Sequence, residues 1–111
     1  MVAIPNRFYR GIVKSKPDSP HPNFRFILVD TVKEIQDENG NWYTDSFEFY
    51  EDYLLHNYEL SDVFYGVYAS YHINDVKSGL KITETESLSQ AINIAQEIMG
   101  NTIEEAKVNL V

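Results

Sequence analysis

The stretch of this chain whose side-chain spacing comes nearest to metal chemistry is Asp37-x-Asn39-x-Asn41-x-Tyr43-x-Asp45-x-x-Glu48. A twelve-residue calcium loop places carboxylate or amide oxygens at its first, third and fifth positions, a main-chain oxygen at the seventh and a bidentate glutamate at the twelfth. Asp37 and Glu48 stand at the two ends of such a frame. The sixth position argues against it, because the sharp turn needed there is normally made by glycine. Here that position is Trp42, and Gly40 falls two places early. Asn39-Gly40 also has a plain structural meaning, since the pair supplies the two positive φ angles of a type I′ hairpin turn. We read a hairpin followed by a helix cap, and assign no metal or cofactor. A calcium-stabilised module over Asp37 to Glu48 is the second alternative.

Other catalytic constellations are weaker. His21, His56 and His72 fall in a proline loop, at an expected helix end and in an expected strand, without metal-like spacing. His72 beside Tyr71 and near Asp75 could form an acid-base pair, because imidazole titrates near neutrality. An ordinary hydrogen-bonded strand histidine is the favoured reading. The chain lacks a glycine-rich phosphate loop, a Walker-type lysine and a nucleophile elbow. With no cysteine there is no disulfide framework, thiolate metal site or cysteine nucleophile. No catalytic residue is assigned. A small enzyme or ligand-binding domain with a pocket between sheet and helix is kept as the alternative.

The elements that would position such residues are legible in outline. Arg7 to Lys14 reads as a first strand, ended by the breaker cluster Lys16-Pro17-Asp18-Ser19-Pro20-His21-Pro22. The segment from Phe24 to Gln36 is apolar enough for a central strand, and Trp42-Tyr43 should begin its returning partner. Asp45 or Ser46 suits a helix N-cap, so a short helix is expected from about Phe47 to Asn57, with a strand as its rival. Val63 to Ile73 reads as a strand in which Gly66 marks a bulge or a close approach. Leu80 to Thr85 reads as a further short strand. Ser87-Leu88-Ser89-Gln90 is a capping-box pattern, and Leu88, Ala91, Ile92, Ala95, Ile98 and Met99 form an amphipathic stripe ending at Gly100. Thr102 to Glu105 repeats the box, which predicts a last short helix through about Leu110. The expected fold is one α+β domain spanning residues 1 to 111. Its antiparallel sheet of about four to five strands packs against one long C-terminal helix, with one or two short helices besides.

Charge sets the expected partners. Seventeen acidic residues against nine basic ones give a net charge of −8. Up to Arg25 the chain carries Arg7, Arg10, Lys14, Lys16 and Arg25 against Asp18 alone, a local charge of +4. From Phe26 to Asp62 it carries Lys33 against ten carboxylates, a local charge of −9. A net negative field disfavours direct binding to nucleic acid or to anionic membranes and favours a cationic partner. The acidic stretch is interleaved with rings, and tyrosine and tryptophan anchor interfaces at low entropic cost while acidic neighbours steer a basic partner. The expected docking residues are Asp45, Glu48, Glu51, Asp52, Glu59 and Asp62 with Trp42, Tyr50, Tyr53 and Tyr58. The expected function is a small, acidic, non-enzymatic binding protein that occupies a basic surface of a partner, in the manner of an inhibitor, an immunity protein or a DNA mimic. Such a partner would be a basic protein that handles nucleic acid. An exposed sheet edge would also allow a homodimer. No apolar run is long enough to span a membrane, and Asn6 and Arg7 interrupt any signal-peptide core, so a cytoplasmic location is expected.

Overall fold

The computed structural model describes residues 4–46, 63–71 and 79–105. Six antiparallel strands and one helix follow in the order β1 (Arg10–Lys14), β2 (Phe26–Gln36), β3 (Trp42–Ser46), β4 (Val63–Ser70), β5 (Leu80–Thr85), α1 (Leu88–Met99) and β6 (Glu104–Glu105). The sheet order is β5-β4-β2-β1-β6, and β3 also pairs with β2. The α+β class and the antiparallel sheet are therefore as expected. One helix is present among the described residues, where one long helix and one or two short ones were expected. The expected helix at Phe47 to Asn57 lies outside the described residues.

β2 is the organising strand. It pairs with β4 from Phe26 to Lys33 along one edge. Along the other it pairs with β1 as far as Asp30 and then with β3 from Val32 onward. The junction between these two partners is stitched at Thr31. Its Oγ1 accepts a hydrogen bond from the Tyr9 N–H at 2.9 Å and donates one to the Tyr9 carbonyl at 2.9 Å, and its own N–H reaches the same carbonyl at 3.1 Å. Thr31 is fully buried, so this side chain satisfies an N–H that has no access to water.

The two faces of the sheet differ. One packs against α1 through Val13, Ile27, Val29, Tyr65, Val67 and Ala69, which meet Leu88, Ala91, Ile92, Ala95 and Met99. Each large aliphatic side chain buried there contributes about 1.5–3 kcal/mol. The helix is held at both ends by its own sequence. Ser87 Oγ accepts from the Gln90 N–H, as the capping box requires, and Gly100 takes the left-handed conformation at φ 66°. The return half of the box is altered: the Ser87 N–H goes to Thr85 Oγ1, which in turn donates to Gln90 Oε1.

Two local expectations change, and a third is narrowed to one of its two alternatives. The hairpin turn is real, but the Gly40 N–H bonds the Asp37 carbonyl and the Asp37 N–H bonds the Asn41 carbonyl. Gly40, at φ 84°, is thus the left-handed fourth residue of the turn Asp37 to Gly40, rather than the second central residue of a type I′ turn. Gly66 marks a close approach: an added Cβ would lie 2.5–2.7 Å from atoms of the Tyr68 ring, while the bulge sits one step on, between Val67 and Tyr68. The same arrangement recurs on β1, where Gly11 is overlain by the ring of Tyr9. Lastly, Thr102 to Glu105 does not start a helix. Glu104 and Glu105 pair with Ile12 and Gly11, and the Glu105 carboxylate forms a bidentate pair with Arg7 at 2.7 and 2.8 Å. That pairing takes the side chain the capping box needed.

Thr31→Val keeps the volume at the stitch but orphans the buried Tyr9 N–H. It is expected to lower stability by about 1–3 kcal/mol, read as a lower urea midpoint at unchanged slope.

Candidate functional site

Of the acidic and aromatic side chains singled out above, Trp42 and Asp45 fall on β3, which forms a hairpin with the far half of β2. Cross-strand partners are Lys33 with Asp45, Glu34 with Thr44, Ile35 with Tyr43 and Gln36 with Trp42. Glu34, Asp37, Glu38 and Asp45 are all exposed on this arm. Trp42 is 64% exposed and Tyr43 48%. Neither ring belongs to the core, although both are large enough to stabilise it. Of the expected docking residues, Trp42 and Asp45 are therefore on the surface and close in the chain. Glu48, Glu51, Asp52, Glu59, Asp62, Tyr50, Tyr53 and Tyr58 lie outside the described residues. Further along, Tyr65 is fully buried, Tyr68 is half-buried and Tyr71 is exposed, so the rings after Val63 divide between core and surface.

The calcium reading of the same stretch meets a specific obstacle. Asp37 Oδ1 accepts from the backbone N–H groups of Asn39 and Asn41, at 2.8 and 2.9 Å. The carboxylate thus acts as the acceptor that shapes the turn. Glu48 lies outside the described residues, as do His56, His72 and Asp75. Among the described residues no group of three or more His, Asp or Glu is placed to hold a metal ion.

Beneath the arm lies a polar row that the sequence did not disclose. The register aligns Arg10, Asp30, Gly66 and Glu84 across β1, β2, β4 and β5, on the face away from α1. Asp30 is 1% exposed and pairs with Arg10, whose Nε lies 3.1 Å from Oδ1 and whose second nitrogen lies 3.3 Å from Oδ2. At the other end of the row Glu84 accepts hydrogen bonds from Lys81 and from Thr44 of β3. That last contact carries the arm back over the sheet, since β3 otherwise touches β5 nowhere in the pairing order. Leu28, Asp30, Thr44, Asp45, Ser46, Tyr68 and Lys81 enclose a cavity of about 130 Å³ between arm and sheet. Space of that size suits a few water-sized groups rather than a substrate, for which pockets of roughly 300–1,000 Å³ are usual.

Two ionisable groups there are displaced. The Tyr68 hydroxyl is pushed up to about 12, first by burial and then by the negative charges of Glu84, Asp30 and Asp45. It stays a neutral hydrogen-bond donor. Burial works against ionisation of Glu84, but hydrogen bonds from Lys81 and Thr44 and the lysine's charge outweigh it and hold the carboxyl below its ordinary value. Among the described residues the middle of the interface between sheet and helix is filled by the core. A cavity of about 360 Å³ touches the helix along its flank, between Ser89, Asn93 and Gln96 on one side and Arg7 and Glu105 on the other.

Set against models of protein families, curated proteins and solved structures, the chain finds no match. The reading of its function accordingly rests on its own residues.

Because folding lowers the Glu84 carboxyl from its ordinary 4.5, the group adds stability above that pH, and the contribution is lost as pH falls through the lower folded value. Lys81→Met is expected to move the Glu84 titration upward and to weaken this pH dependence. Carboxyl titration followed by NMR, with Glu84→Gln to assign the signal, checks it.

Proposed function

We propose that this protein binds a basic surface on another protein, through the acidic and aromatic arm of β2 and β3 and the acidic segment that follows it. The observation that carries the reading is the exposure of Trp42 and Tyr43 on an arm that also exposes Glu34, Asp37, Glu38 and Asp45. A ring of tryptophan left in water forfeits about as much burial free energy as any side chain can gain, and a partner that covers it recovers that term. The surrounding carboxylates would steer a cationic partner and fix its orientation, contributing more to encounter rate and specificity than to affinity. The net charge of −8 points the same way, since it repels polyanions and draws proteins that bind them.

The class of protein that fits is an inhibitor, an immunity protein or a mimic of DNA charge acting on a nucleic-acid-handling partner, in the cytoplasm and without catalysis of its own. Direct contact with a membrane is not part of this reading; among the described residues no helix is long and apolar enough to cross one. Self-association through a free sheet edge is compatible with it.

The test is capture from a lysate of the source organism over a salt series, with wild-type protein and with Trp42→Ala and Asp45→Asn as bait. Retained proteins should carry basic surfaces and be released as salt screens the charges. Trp42→Ala should weaken binding about thirtyfold, as an interface anchor does, and Asp45→Asn should mainly slow association. Nothing retained at low ionic strength, or equal retention by the tryptophan variant, would rule the reading out.

A further inference from the structure

At the end of the sheet away from the acidic arm, a cavity of about 650 Å³ opens between the β1–β2 loop and the end of β4. Lys14, Lys16, Arg25, His21, Phe26 and Tyr71 line it together with loop prolines and Ser15, and none of these residues is acidic. We propose that this groove binds a nucleotide or a compound of the same build, a planar ring joined to two or more phosphates.

Unbalanced charge is the first observation. Elsewhere in the described chain cations are matched: Arg7 pairs with Glu105, Arg10 with Asp30 and Lys81 with Glu84. Lys14, Lys16 and Arg25 form no such pair among the described residues, although the chain holds seventeen acidic residues to nine basic ones. The Lys16 ammonium lies toward Gly100 at the C-terminal end of α1, but where acids are in such excess, Lys14 and Arg25 at one hollow with no acid among its described lining residues repel one another, and an anion with several charges relieves that repulsion. Phosphates suit the arrangement better than a single carboxylate, because they present several charged oxygens to several donors.

The second observation is a row of rings beside those charges. His21 and Phe24 stack with centroids 5.3 Å apart and planes 19° apart, and Tyr71 lies 6.3 Å from Phe24. Tyr71 is 55% exposed, so part of its ring is open to a planar ligand. Stacking on such a ring tolerates many bases, because each has a π face.

The groove is also shaped in advance. The Ser15 N–H bonds the Arg25 carbonyl and the Arg25 N–H bonds the Ser70 carbonyl, each at 3.1 Å, which holds Arg25 beside the end of β1. Inside the loop, His21 Nδ1 accepts the N–H groups of Asn23 and Phe24 at 3.1 and 3.2 Å. In the neutral ring this leaves Nε2–H as the donor available to a ligand. A site ordered before binding loses less entropy when the ligand arrives. The volume lies within the range of small-ligand pockets, roughly 300–1,000 Å³. The chain's net charge of −8 weighs against a long nucleic acid, whose outer phosphates would meet the acidic remainder of the surface.

Calorimetric titration of the full chain with ATP, adenosine and tripolyphosphate tests the proposal. ATP is expected to bind one to one, more tightly than either part alone, with affinity falling as salt is raised. Lys14→Gln and Arg25→Gln, both at exposed positions where folding is not at stake, should each weaken ATP about tenfold or more. Tyr71→Ala should weaken ATP about fivefold or more and leave tripolyphosphate unchanged. Absence of ATP binding, or binding indifferent to both charge variants, overturns the site. Equal affinity for tripolyphosphate and ATP, with no effect of Tyr71→Ala, overturns the ring part of the assignment. Tighter binding of a single-stranded oligonucleotide than of ATP would replace the small ligand by a polymer.

Discussion

The pairing of Asp30 with Arg10 is the constraint to which the rest of the sheet is fitted. A carboxylate 1% exposed in the middle of the longest strand cannot be left without a counter-charge, because removing one partner of a buried ion pair costs about 3–5 kcal/mol. Arg10 supplies it from directly opposite in the register, which ties β1 to β2 at a single alignment. A slip of one residue would carry Arg10 to the helix face, among the packed apolar side chains of the core. The pair lies on the outer face of the sheet. On that face the charged row runs between the buried Leu28 and Val32 of β2. Among the described residues the arm lies over it, with Thr44 reaching Glu84.

The architecture was legible wherever a local signal and the tertiary demand agreed. β2 opens on the apolar run Phe26 to Val29 and alternates beyond Thr31, and it is the central strand. Ser87, Gln90 and Gly100 bracket an amphipathic stripe, and the helix begins and ends between them. The signals failed where the same residues had a better use at long range. Thr102 to Glu105 has the form of a cap, yet the Glu105 carboxylate is claimed by Arg7, almost the whole chain away. Asn39-Gly40 correctly announces a hairpin but not its turn type, because Asp37 brings a carboxylate that the two-residue turn does not use.

The functional surface was legible only as composition. Exposure of Trp42 and Tyr43 was not written in the sequence, since tyrosine 65, of the same chemical type, is sealed in the core. What separates them is position on the sheet: β3 pairs with the far half of β2, beyond the reach of α1, so among the described residues its rings have no layer to enter. The polar row under the arm was hidden for a different reason. Arg10, Asp30, Gly66 and Glu84 are far apart in the chain and become neighbours only once the strand order is known. Grouping of Lys14 and Arg25 at one hollow likewise depends on β1 ending beside the start of β2, although their sign was evident from the basic first quarter of the chain.

Each of the two glycines that lie under a tyrosine ring, Gly11 below Tyr9 and Gly66 below Tyr68, forms one unit with the residue two places away. A methyl group at either glycine would overlap the ring, and a smaller residue in place of the ring would bare the main chain beneath it. Neither member can therefore drift alone. Among descendants of this sequence the two positions of each unit should change in concert or not at all, leaving a paired signature of covariation, one on the helix side of the sheet and one on the side of the arm.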